Sequence, residues 1–63
     1  MSDQEKQDVN NAINGKLSDD YNDLEVVLNN LNAEKATVKD HGRYKRIDKA
    51  ISKVRTKMNT LKA

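Results

Sequence analysis

The sequence predicts an all-α protein: an antiparallel, coiled-coil-like helical hairpin preceded by a short helix. Three observations carry that expectation. Apolar residues recur at alternating steps of three and four along two stretches, Tyr21 to Val38 and Tyr44 to Leu61, which is the spacing that lines one face of a helix for a partner helix. Val38 to Tyr44 is a step of six, which breaks the alternation where Gly42 also sits, so the two stripes belong to two helices and not to one. Charged and hydrophobic residues each make up 35%, a balance too apolar and too regular for a disordered tail and suited to a small helical protein with much exposed surface.

The first helix is expected over about residues 3–14. Ser2-Asp3-Gln4-Glu5 fits the reciprocal cap in which a Ser oxygen takes an amide three residues on and the Glu folds back. Val9, Ala12 and Ile13 fall on one side of it, and Asn14-Gly15 is a pair suited to the left-handed conformation that ends helices. Because a lone Gly costs only about 1 kcal/mol against Ala, continuation through Gly15 is the alternative.

Ser18-Asp19-Asp20 reads as a second helix start, with carboxylates where the positive end of the helix dipole favours them. The second helix is expected over about residues 19–40. Its stripe is Tyr21, Leu24, Leu28, Leu31 and Val38, with Lys35 filling the vacant position. A turn is expected at about residues 40–43, where Gly42 is a good left-handed residue and His41 and Lys39 suit a helix end. The third helix, about residues 43–62, carries Tyr44, Ile47, Ile51, Val54, Met58 and Leu61 without a lapse. So short a connection makes the two long helices antiparallel neighbours. Leu24 then faces Met58, Leu28 faces Val54, Leu31 faces Ile51, Lys35 lies opposite Ile47, and Glu25 comes level with Arg55.

Charge divides between the arms. Residues 1–40 hold four lysines against nine carboxylates, a net of −5, whereas residues 43–63 hold eight cations against Asp48 alone, a net of +7. Exposed pairs contribute little each, but this division favours the antiparallel arrangement over pairing of like-charged arms. With 63 residues and no cysteine, there is room for a single domain and no disulfide to reinforce it. The remaining burial has two possible sources, since Val26, Val27, Ala33 and Ala50 lie off the seam. Either Val9, Ile13 and Leu17 dock there to make a three-helix unit, or a second copy packs on to give a dimeric four-helix bundle.

Catalytic patterns are missing: no nucleophile with a base, no Gly-rich phosphate loop and no metal-ligand spacing. His41, the single histidine, reads as a solvated turn residue, and Asp19, Asp20 and Asp23 read as capping residues rather than a cation site. The expectation is a non-enzymatic protein without cofactor or metal. No run approaches the ~18 apolar residues of a membrane span, and the amino-terminal "MSDQEKQDVN" is acidic and polar, unlike a signal peptide, so a cytoplasmic location is expected.

Binding is therefore the expected activity. The primary reading is a protein–protein interaction module, an inhibitor or assembly factor acting on a larger protein. Its contact candidates are Val26, Val27, Asn29 and Asn30 on the second helix and Arg46, Lys49 and Lys53 on the third. Eight Asn and nine Lys among 63 residues fit the AT-rich coding of many phages and plasmids. The alternative is a nucleic-acid-binding regulator that uses Arg43, Lys45, Arg46, Lys49, Lys53 and Lys57 against a phosphate backbone. In size, in hairpin logic, at Gln4-Glu5-Lys6 and along Leu28-Asn29-Asn30-Leu31-Asn32-Ala33, the chain resembles the plasmid copy-number hairpin proteins that bind paired RNA loops as antiparallel dimers. The RNA-facing first helix of that family carries aromatic and basic residues where this chain has Asn14, Ser18 and Glu25, and its turn falls earlier.

Overall fold

The computed structural model describes residues 3–62, which form three α-helices and no strand: α1 (Asp3–Ile13), α2 (Tyr21–Thr37) and α3 (His41–Lys62). The Ser2 cap expected for α1 lies outside the described residues. Helix α1 ends where Asn14-Gly15 predicts, and it does not continue into α2. Gly15 has φ +83°, the only positive φ among the described residues. The Gly15 amide donates to the Ala12 carbonyl at 3.0 Å and the Lys16 amide to Asn11 at 2.8 Å, the paired bonds of a Schellman ending.

Helix α2 is shorter at both ends than the expected span of residues 19–40. Its cap is Asp20 rather than Ser18: Asp20 is extended (φ −94°, ψ 121°) and its Oδ1 accepts from the Asn22 amide at 3.0 Å. Ser18 stands one step back, its Oγ accepting from the Asp20 amide at 3.0 Å and donating to Asp23 Oδ2 at 3.3 Å. At the other end Thr37 is the last helical residue. Val38 is extended (φ −71°, ψ 135°) and its amide still reaches the Glu34 carbonyl at 2.8 Å.

The connection is Val38–Asp40, earlier than the expected turn at residues 40–43, and Gly42 is not its left-handed residue. Asp40 instead opens α3, its Oδ1 accepting from the Gly42 amide at 3.0 Å and its carbonyl from Tyr44 at 2.9 Å. His41 and Gly42 thereby become the first turn of α3. Two local signals compete here, a glycine able to end α2 and an aspartate able to start α3. The aspartate prevails because its carboxylate satisfies an amide that would otherwise have no partner.

The core comprises Val9 and Ala12 of α1, Leu24 and Leu31 of α2, and Ile47, Ala50, Ile51, Val54 and Met58 of α3. Ile13, Leu17, Val27, Leu28 and Val38 pack against it while half-buried. The seam expected between α2 and α3 is thus present in its centre, and the chain is a three-helix unit in which α1 packs on both members of the hairpin. Ala50, off the two-helix seam, is buried because α1 closes that side. Tyr21, Tyr44 and Leu61, expected on the seam, sit towards its ends and are 37%, 39% and 41% exposed.

Candidate interaction site

The six cations proposed from sequence to face a phosphate backbone do not act as one group. Arg43 is engaged by its own chain although its side chain is 38% exposed, its Nε 2.6 Å from Glu34 Oε1 and its Nη2 donating to Asn10 Oδ1 at 3.5 Å. One guanidinium therefore joins all three helices. Lys57 is engaged near the other end of α3, its Nζ 2.8 Å from Asp19 Oδ1 and donating to the Leu17 carbonyl at 3.3 Å. From the sequence alone both read as surface charges. Arg43 meets Glu34 across the α2–α3 connection, whereas its Asn10 contact and both partners of Lys57 require α1 and its linker to be docked.

Lys45, Arg46, Lys49 and Lys53 are exposed and make no ion pair among the described residues. Their positions share the side of α3 away from Ile47, Ile51 and Val54, and at 1.5 Å per residue they span about 12 Å. Further along this side Thr56 and Thr60 turn their hydroxyls inward, donating to the carbonyls of Ser52 (3.0 Å) and Thr56 (3.1 Å). With their hydroxyls so engaged, these two residues contribute chiefly methyl groups to the outer surface. Ser52, Thr56 and Thr60 with Lys53 and Lys57 line a shallow groove of about 450 Å³.

The contact set proposed on α2 also divides. Val26 is 53% exposed, the most exposed of the large hydrophobic residues, and Asn29 is exposed. Val27 is half-buried against the core, so it is part of the packing rather than a free surface residue. Asn30 is half-buried too, with Nδ2 fully covered and lacking a hydrogen-bond partner among the described residues; Glu34 Oε2, one turn on, is in the same state. Val26 and Val27 line a cleft of about 290 Å³ between α1 and α2, with Gln4, Asp8, Asn11 and Asp23 among its walls. This cleft is distinct from the α3 groove, and periodicity along single helices carries no sign of it because it needs α1 in place.

Lys35 behaves as its stripe position implies, with its stem in the seam and its ammonium outside. Its Nζ is 2.8 Å from Asp48 Oδ1, one residue beyond the expected Ile47, and 5.2 Å from the centre of the Tyr44 ring. The hydrogen bond to Asp48 holds the Lys35 ammonium above its ordinary pKa, against an opposing effect of burial. Asp19 is shifted below the ordinary carboxylate value, first by its hydrogen bond from Lys57 and then by the charge of that lysine. Glu25 and Arg55 form no pair among the described residues. The acidic triplet diverges: Asp19 faces Lys57, Asp20 caps α2 and Asp23 accepts from Ser18. Among the described residues no three His, Asp or Glu side chains converge as they would around a metal ion, and no helix is long and apolar enough to cross a membrane.

The chain matches no family model, and no curated protein or solved structure matches it.

Proposed function

We propose that this protein is a non-enzymatic binding module that presents the outer side of α3 to an acidic patch on a larger protein, in the manner of a phage- or plasmid-type inhibitor or assembly factor. The observation carrying this reading is the division among its cations. Arg43 and Lys57 are committed internally, whereas Lys45, Arg46, Lys49 and Lys53 remain exposed and unpaired among the described residues on one helix. Uncompensated charge of one sign along a rigid element raises encounter rates with an oppositely charged surface and fixes orientation on it.

Nucleic-acid binding is the second reading, and the same strip favours it. Two features weigh towards protein. Tyr44, the single tyrosine of α3, sits beneath the Lys35 ammonium and away from the strip, which leaves His41, one turn before Lys45, as the one ring near it for stacking on bases. Thr56 and Thr60 donate their hydroxyl protons to backbone carbonyls and so withhold them from phosphate oxygens.

Titration of the protein with an acidic helical peptide, random duplex DNA and structured RNA, at low and high salt, separates these readings. The protein reading expects saturable peptide binding that Lys49→Glu with Lys53→Glu abolishes, and no tighter binding to either nucleic acid. Steeply salt-dependent binding to DNA or RNA alone would replace it with the second reading.

A further inference from the structure

The same strip has a candidate occupant within the chain's own sequence. Once the three internal ion pairs are formed, charges of opposite sign remain on two different helices. On α3 these are Lys45, Arg46, Lys49 and Lys53. On α2 they are Asp23 and Glu25, both exposed, on either side of the exposed Val26.

The two surfaces also agree in period. Asn22, Val26, Asn29 and Ala33 follow one another along α2 at i, i+4, i+7 and i+11, and all four are exposed. Lys45, Lys49, Ser52 and Thr56 repeat that spacing along α3 and are likewise exposed. Laid parallel, the acidic beginning of one strip meets the cationic beginning of the other, and Ala33 comes level with Thr56. Small residues at that end permit close approach of two helices, and opposite charges at the other end set the register.

We propose that the exposed face of α2 seats on the outer face of α3 in a second copy of the chain, in a parallel, head-to-tail contact. It gives the cationic strip a second occupant, so at any one strip self-association and capture of the acidic partner are mutually exclusive. Because the two faces differ, the contact is heterologous, and an open assembly retains one free face of each kind, at its two ends, unless a ring closes. Attraction between exposed charges across it is screened by salt.

The test uses the intact chain alone, by sedimentation velocity across a concentration series. In about 10 mM salt, where charges act over about 30 Å, the weight-average mass should climb above 7.2 kDa as concentration rises; in about 1 M salt, where they act over about 3 Å, it should return to that value. Lys49→Glu with Lys53→Glu should weaken association at least tenfold, and so should Glu25→Lys with Asn29→Lys. All four positions are exposed, and circular dichroism checks that both variants remain helical. Mixing the two variants should restore assembly, since the reversed α2 of one then suits the reversed α3 of the other. A mass of 7.2 kDa at every concentration up to about 1 mM in low salt, association indifferent to salt or to either reversal, or a mixture that stays monomeric would each overturn the proposal. None of these results depends on the acidic partner.

Discussion

Replacing Gly42 by alanine decides where the hairpin turns. If Gly42 were the left-handed residue ending α2, an added Cβ would cost about 1–2 kcal/mol. In the structure Gly42 lies in the first turn of α3, and a Cβ built there would meet Asp40 Oδ1 at 3.6 Å, an ordinary contact. Alanine should therefore stabilise the fold, by an amount bounded by the helix-propensity difference of about 1 kcal/mol and reduced because the position is close to the helix end. Gly15 is the internal control. Its Cβ would meet nothing within 4 Å, but its φ of +83° is strained for any L side chain, so Gly15→Ala should cost about 1 kcal/mol through backbone strain alone. For a domain of this size, each kcal/mol moves the thermal midpoint by about 4–8 °C. Thermal melts followed by circular dichroism should thus show the two glycine variants moving in opposite directions. A Gly42→Ala protein that melts below wild type would refute the assignment of Asp40 as the start of α3.

Other expectations concern the packing and the ion pairs. Leu31→Ala removes a fully buried side chain and should cost about 2–5 kcal/mol, whereas Val26→Ala, at a half-exposed site, should change a urea midpoint little. Arg43→Met leaves the Glu34 carboxylate, 16% exposed, without its cation and should cost about 1–3 kcal/mol; Glu34→Leu in the same chain should recover part of that loss in a double-mutant cycle. The folded-state pKa of Asp19 is depressed, so its contribution to stability is present above the ordinary carboxylate value and is lost as pH falls below about 4. Lys35 has the opposite sign: its pKa is raised by Asp48, so its contribution is lost only as pH climbs beyond about 10. Carboxyl NMR titration should place the Asp19 midpoint below that of an unfolded peptide, and Lys57→Met should return it upward. In native-state hydrogen exchange, Val9→Ala should release the α1 amides much more than Lys57→Met does; equal release would reverse the ranking of burial over charge at that helix.

The sequence makes the fold class legible because helical periodicity is a property of single segments. Leu24, Leu31, Ile47, Ile51, Val54 and Met58 are buried as their spacing implies, and Gly15 ends α1 as a glycine after Asn14 should. Properties that depend on three bodies are not legible in this way. A two-helix stripe does not say which flank a third helix will cover, so Val26 and Val27 look equivalent until α1 is docked; then both line the cleft, but Val26 stays 53% exposed while Val27 joins the packing. Charge counting likewise cannot separate Arg43 and Lys57 from Lys49 and Lys53, because the difference lies in whether Glu34 and Asn10, or Leu17 and Asp19, come within reach. At the turn the obstacle is local, since Asp40 and Gly42 offer two stop-and-start signals within three residues, and only the hydrogen bond from the Gly42 amide shows which is used.

The same comparison separates what holds α1 from what positions it. Burying a residue such as Val9 is worth about 1.5–3 kcal/mol, and Ala12 adds to it. An exposed ion pair, screened by solvent, contributes much less, and Asp19, at 94% side-chain exposure, is of that kind. Burial therefore keeps the helix down, while Arg43 near one end of α3 and Lys57 near the other restrict where along the hairpin it can lie. That division requires only two of the six cations first considered for a binding face. The other four are exposed and make no side-chain hydrogen bond or ion pair among the described residues, so reversing Lys49 and Lys53 tests recognition with little interference from folding, and reversing Arg43 or Lys57 does not.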